Sequence, residues 1–180
     1  WWNMTSGPRF AWVHIYEPHT PWDDHGYGGD PYRGEVAFSD KILGRLFDAV
    51  GKDTLVVLTS DHGQSLWDYG EREHGVLLGR SATRVPLIVR PPGGLQGVAS
   101  VVAREGVDLS QRPVGVDETL DLTPVPDAPV AAQVVNVPVS GVDIAPTIAA
   151  MVGLEFPSDG RALHPIVADF ASVPVYAETF

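Results

Sequence analysis

Asp61 and His62, a third of the way along the chain, are of the types and in the place that chemistry at a metal requires. They follow Thr54-Leu-Val-Val-Leu-Thr59, a run of leucine and β-branched residues short enough for a buried strand and too short for a helix. In an open α/β sheet, ligands sit in the loops leaving the carboxyl ends of the strands. Asp61 offers a hard oxygen there, His62 an imidazole nitrogen, and Gly63 lets the backbone turn without steric cost. The pair suits a divalent cation that polarises an oxyanion; the plainer reading is a strand ending in a turn that Asp61 caps. Two more histidines fall at comparable positions, His19 past an earlier strand end and His74 in the loop after His62. As a set, His19 and His74 could donate to substrate oxygens, protonate a leaving group or ligate a second metal. Arg80, shortly after His74, could pair with an anionic group or simply end a helix in solvent.

Other polar residues read as structural. His14 lies inside an apolar stretch and is expected to pack against the core, and His25 and His164 read as surface or packing residues. Asp23, Asp24 and His25 resemble a metal cluster, but consecutive positions seldom converge and aspartates favour turns. Asp40 is expected to make a buried hydrogen bond. Ser60, Ser65 and Ser81 carry a hydroxyl, but the sequence shows no Ser/His/Asp arrangement around them.

These residues need elements to hold them. Arg9–Tyr16 is rich in aromatic and β-branched residues and predicts a strand, closed by the prolines of Glu17-Pro-His-Thr-Pro21. Trp22–Pro31 is a Gly- and Asp-rich loop. Tyr32–Val50 predicts a helix: Val36, Ile42, Leu43, Leu46, Phe47 and Val50 form one stripe, and Gly51 stops it. With the strand at Thr54–Thr59 this makes a strand–helix–strand crossover. Arg84–Arg90 predicts a further strand with Pro86 near its start. Gly97–Ala131 has no clear period and reads as short strands or a surface flap. Beyond it the sequence predicts a strand at Gln133–Val139 and a helix at Asp143–Gly153 with Asp143 as N-cap. A weak helix over Arg161–Phe170 and a strand over Val173–Ala177 complete one domain, or most of one.

Composition bounds the function. The chain has 180 residues, 44% of them apolar and 19% charged, which is globular rather than disordered. A net charge of −11 argues against nucleic acid and against an anionic membrane surface. Any anionic substrate must therefore be attracted locally, by a metal or by clustered His and Arg. There is no cysteine, hence no disulfide and no cysteine-derived nucleophile. No stretch is apolar enough for a transmembrane segment. No signal peptide opens the chain, which begins as if cut from something longer.

Several short motifs in one order carry a family resemblance. His14-Ile-Tyr-Glu-Pro-His-Thr-Pro21, Tyr32-Arg-Gly-Glu-Val-Ala-Phe-Ser-Asp40 and Leu58-Thr-Ser-Asp-His-Gly63 resemble the bacterial sulfatases of the alkaline phosphatase superfamily. So do Glu73-His-Gly75, Arg84-Val-Pro-Leu-Ile-Val-Arg-Pro-Pro-Gly93, Val139-Ser-Gly-Val-Asp-Ile-Ala-Pro-Thr147, Asp159-Gly-Arg-Ala-Leu163 and Tyr176-Ala-Glu178. The resemblance runs from about Phe10 to the C-terminus, broken by the 97–131 insert. It implies an α/β fold of the alkaline phosphatase type: a mixed, mainly parallel sheet flanked by helices, here with the N-terminal half missing. On that view residues 1–180 are the C-terminal portion of a sulfatase catalytic domain.

The resemblance also implies roles. Asp61 and His62 would be two ligands of the catalytic divalent cation, calcium in most of the family. Many sulfatases have Asn at the position of His62, and a histidine suits manganese or zinc better. His19 matches the histidine that contacts the sulfate or the leaving-group oxygen. His74 matches one that faces the substrate phosphate or a second zinc in the similar phosphoethanolamine transferases. Some sulfatases place a lysine near Arg80, whereas no lysine follows Asp61 here. The family's Cys/Ser-x-Pro-x-Arg motif, source of its formylglycine nucleophile, does not occur in this sequence, so that group is expected upstream. Members are often exported, which points to the periplasm or the cell exterior.

Three readings follow. The first is part of a hydrolase of small-molecule or glycan sulfate esters. The second is a phosphoryl-transfer enzyme of the same superfamily, a phosphodiesterase or phosphoethanolamine transferase. The third is a non-catalytic relative.

Overall fold

A computed structural model describes residues 6–93 and 138–163. The chain divides into two units, Trp1–Thr54 and Leu55–Phe180.

The first unit is built on one long helix. Helix α1 (Pro31–Val50) starts one residue before the sequence places it. Asp30 caps it by accepting the Arg33 N–H at 3.0 Å, Pro31 occupies its first turn, and Gly51 ends it at φ 76°. Its inward face carries Glu35 and Ser39, both buried, then half-buried Ile42, Leu43, Leu46 and Val50, so the stripe is polar at one end. Asp40 is exposed, against the expectation of a buried hydrogen bond; it lies one position past that face.

Glu35 anchors the preceding loop. Its Oε1 accepts the Asp23 N–H at 3.0 Å, and its Oε2 lies 3.1 Å from His25 Nε2. The His25 ring stacks on Phe38 at 4.1 Å. Gly34 has no room for a Cβ, which would meet the Asp24 backbone. Asp23 and Asp24 accept the backbone N–H groups of His25 and Gly26, at 2.7 and 2.9 Å, so these aspartates form turns rather than a metal cluster. Trp22 donates to the Pro18 carbonyl at 3.0 Å and meets Tyr32 edge-on. Burial, with the nearby Asp30 charge, pushes the Tyr32 hydroxyl above its ordinary pKa.

Arg9–Tyr16 is not a strand. It takes part in no ladder, and Phe10, Trp12, Val13 and Tyr16 are exposed. A strand exists only through a partner for its backbone N–H and C=O groups, and none pairs with this stretch among the described residues. The expected crossover is therefore not formed there, and His14 is exposed rather than packed.

The second unit holds a two-stranded sheet. Strands β1 (Val56–Thr59) and β2 (Leu87–Arg90) fall where leucine and β-branched residues predict them, but they pair antiparallel, Val56 opposite Arg90 and Thr59 opposite Leu87. The described residues thus show no parallel ladder. The chain between the strands contains one 3₁₀ turn (Asp68–Gly70) and the four-residue helix α2 (Arg80–Thr83), and neither is the long crossover helix that usually links parallel neighbours. Strand β2 alternates with period two: Leu87 and Val89 are buried and Ile88 faces out. Leu87, Val89 and Leu163 form the core, with Leu55, Val57, Val139, Ile144 and Met151 packed around it.

Helix α3 (Ile144–Met151) closes this core, entered through a 3₁₀ turn at Gly141–Asp143. Asp143 is not its simple cap. It sits three residues after Ser140 in a capping box, its Oδ2 accepting the Ser140 N–H at 2.9 Å. Its Oδ1 accepts the Arg161 N–H at 2.9 Å, and the Arg161 side chain donates to the Pro138 carbonyl. Thr147 donates to the Asp143 carbonyl at 2.5 Å and accepts the Leu163 N–H at 2.9 Å. A Cβ on Gly160 would overlap the Val142 carbonyl oxygen. These contacts explain why the motifs around Asp143-Ile-Ala-Pro-Thr147 and Asp159-Gly-Arg-Ala-Leu163 go together. The 97–131 insert and the strand expected at Val173–Ala177 lie outside the described residues, as do most of those at Gln133–Val139 and Arg161–Phe170; their described ends, 138–139 and 161–163, are irregular.

Candidate active site

Strand β1 delivers Asp61 and His62 into a loop that is fixed at both ends. The Ser60 hydroxyl donates to the His62 carbonyl at 2.7 Å, closing a tight turn. On the far side the Gly63 N–H donates to the Ala82 carbonyl at 2.6 Å, and a Cβ on Gly63 would overlap the Ser81 carbonyl oxygen. Glycine is required there by contact with α2, a stronger reason than turn flexibility.

Asp61 is exposed at the tip, its side chain 75% accessible. Its Oδ1 accepts the His62 N–H at 3.0 Å and lies within 3.4 Å of the Ser60 hydroxyl. Partial burial raises the carboxyl pKa, but the His62 ring, the backbone N–H groups of His62 and Asp61, and the Ser60 hydroxyl outweigh it and hold the pKa below its ordinary value. Asp61 is thereby kept as a carboxylate.

His62 Nδ1 lies 2.8 Å from the Gly63 carbonyl oxygen. A carbonyl can only accept, so Nδ1 carries the proton and, in the neutral ring, Nε2 carries the lone pair. Nε2 sits 3.8 Å from Asp61 Oδ1. Such an Nδ1–H···O=C bond is what orients a metal-binding histidine and sets its tautomer.

The His74 ring stacks on His62, with centroids 3.7 Å apart and planes inclined by 26°. His74 Nδ1 lies 3.0 Å from Gln64 Oε1, which leaves Gln64 Nε2 buried without a hydrogen-bond partner among the described residues. With the amide turned over, Gln64 would donate to Nδ1 instead. It can therefore support either neutral tautomer of His74, which suits a residue that gives or takes a proton.

His19 belongs to the first unit. Its Nδ1 lies 2.7 Å from the Thr20 carbonyl, which fixes the same tautomer as in His62, and its ring stacks on Tyr16 at 4.6 Å. Arg80 opens α2 and is exposed. Within the second unit the structure thus brings Asp61, His62 and His74 together. Among the described residues no group of three or more His, Cys, Asp or Glu is arranged to hold a metal ion. Asp61 and His62 present a hard oxygen and an imidazole protonated at Nδ1, donor types that fit a divalent cation.

One residue that touches the site, Gln64, escaped the sequence reading, although a polar side chain beside Asp61-His62-Gly63 was an available signal.

A family model described as Sulfatase matches residues 2–154. No curated protein and no solved structure matches the chain.

Proposed function

The chain belongs to the sulfatase family, and from that premise we propose that Asp61 and His62 hold a divalent cation while His74 serves a sulfate ester. The family carries the alkaline phosphatase-like α/β fold and hydrolase activity on sulfate esters.

One observation supports the assignment most directly. The His62 Nδ1–H is spent on the Gly63 carbonyl, so its basic Nε2 stands beside a carboxylate held ionised. When bound, a divalent cation supplies positive charge to a sulfate oxygen. Calcium is the family's usual ion, and the imidazole donor favours manganese or zinc.

This chain's own residues have three tasks. Asp61 and His62 present an oxygen and a nitrogen donor. His74, held against His62, gives a proton to the alkoxide oxygen as the sulfur–oxygen bond breaks, the proton standing on Nε2 in the tautomer that Gln64 supports by donating to Nδ1. Arg80 meets the substrate anion, which a protein of net charge −11 must attract locally. The attacking group, a formylglycine in the family, would come from residues outside this sequence.

The second reading, phosphoryl transfer, is favoured by one feature: the stacked His62–His74 pair offers two imidazoles where a phosphate or second zinc would bind. Binding separates the two. The manganese-loaded chain is expected to bind an aryl sulfate, and His74→Ala to weaken that binding. Binding of an aryl phosphate alone would move the assignment to phosphoryl transfer.

A further inference from the structure

His74 sits in a loop whose backbone is strained. Leu66, Trp67 and Tyr69 all take positive φ, at 50°, 75° and 55°, in a chain segment where only Gly70 is suited to it. An L side chain is disfavoured in this conformation by the crowding of its Cβ against the backbone. Strain of this kind persists only where surrounding contacts over-determine the conformation.

The contacts converge on Glu71. Its Oε1 accepts the Val76 N–H at 2.8 Å, and its Oε2 accepts the Leu77 N–H at 3.2 Å and the hydroxyl of buried Ser65 at 3.3 Å. Its backbone carbonyl accepts the Trp67 N–H at 2.8 Å, and its N–H donates to the Asp68 carbonyl at 3.1 Å. One residue therefore closes the strained turn behind it and fastens the chain ahead of it.

His74 lies between the fastened points. On its N-terminal side the Glu73 carbonyl accepts the Ser65 N–H at 2.7 Å. On its C-terminal side, past Gly75 at φ 102°, Val76 and Leu77 are tied to the Glu71 carboxylate. The backbone on both sides of His74 is thus pinned to the Ser65–Glu71 pair. The stacking on His62 follows from that placement. Hydrogen bonds to an ionised acceptor are about twice as strong as neutral ones, which suits a carboxylate for this task.

We infer that Glu71 is a positioning residue that holds His74 against His62. The inference rests on the proposed use of His74 at the site. The test below reads ring placement directly, so a failure of the sulfatase mechanism would leave the result interpretable.

The test is NMR on the full chain with labelled histidine, scoring the cross-relaxation peaks between the His62 and His74 ring protons at a fixed pH. Glu71→Ala is expected to lose these peaks while the fold remains. Thr147→Val, which loosens a separate hydrogen-bond network, is expected to keep them. Should Glu71→Ala fail to fold, Glu71→Gln decides: it keeps the side chain's size but turns one accepting oxygen into a donor, and weakened peaks are expected. Peaks of wild-type intensity in whichever variant folds would overturn the inference.

Discussion

The imidazole of His74 lies on that of His62, with ring centroids 3.7 Å apart, although twelve positions separate them in the chain. Each ring has its Nδ1 against an oxygen acceptor, the Gly63 carbonyl for His62 and the Gln64 side chain for His74. For His62 this leaves the lone pair on Nε2, whereas Gln64 can support either tautomer of His74. Beside them stands a carboxylate, Asp61, held ionised by its neighbours. The arrangement gives a member of the sulfatase family one oxygen and two nitrogen groups at the end of β1.

Gly63 is where this arrangement is most easily broken. A Cβ there would press on the Ser81 carbonyl oxygen, a backbone atom with little freedom to move. Gly63→Ala is expected to cost about 2 kcal/mol, as overpacking does elsewhere. It should also shift the His62 ring resonances. Denaturant unfolding with histidine NMR checks both, and a variant with wild-type stability would contradict the packing argument.

Thr147 joins two segments sixteen residues apart by donating to the Asp143 carbonyl and accepting the Leu163 N–H. Thr147→Val preserves shape but leaves a buried N–H without its acceptor. The expected loss is about 1–3 kcal/mol. Metal binding at Asp61 and His62 should be unchanged, which separates fold from site.

Asp61 predicts a pH dependence of known sign. Its folded-state pKa lies below the ordinary carboxylate value. The associated stabilisation is fully present above the ordinary range and is lost as pH falls through the lowered value. Because the side chain is largely exposed, the effect on stability is small, and the titration itself is the better observable. Carboxyl carbon NMR of Asp61 is expected to show a depressed midpoint that rises in His62→Ala. A midpoint unmoved by that substitution would show that His62 contributes nothing to it.

Some of this was legible in the sequence. Helix α1 was readable to within one residue from its apolar period and terminating glycine; its cap Asp30 and Pro31 lie in a stretch that reads as loop. Strands β1 and β2 were readable as strands from their leucine and β-branched residues, but not their direction. Direction depends on the path of the connection, and Gln64–Thr83 has no period that announces a chain reversal. Arg9–Tyr16 has strand composition without a strand, since composition cannot supply a partner. Of the site, the residues Asp61, His62 and His74 were legible by type and spacing. What holds them was not: Gln64 acts through one side-chain hydrogen bond and Glu71 through three, to Ser65, Val76 and Leu77, across an irregular loop, and such bonds leave no periodic trace.

The central claim is that Asp61 and His62 bind a divalent cation. Calorimetric titration of the chain with manganese, zinc and calcium, beside an Asp61→Ala/His62→Ala double variant, tests it most directly. The account predicts micromolar binding of at least one of these ions, with manganese or zinc ahead of calcium, and its loss in the double variant. Equal binding by both proteins would contradict the assignment and place the metal elsewhere.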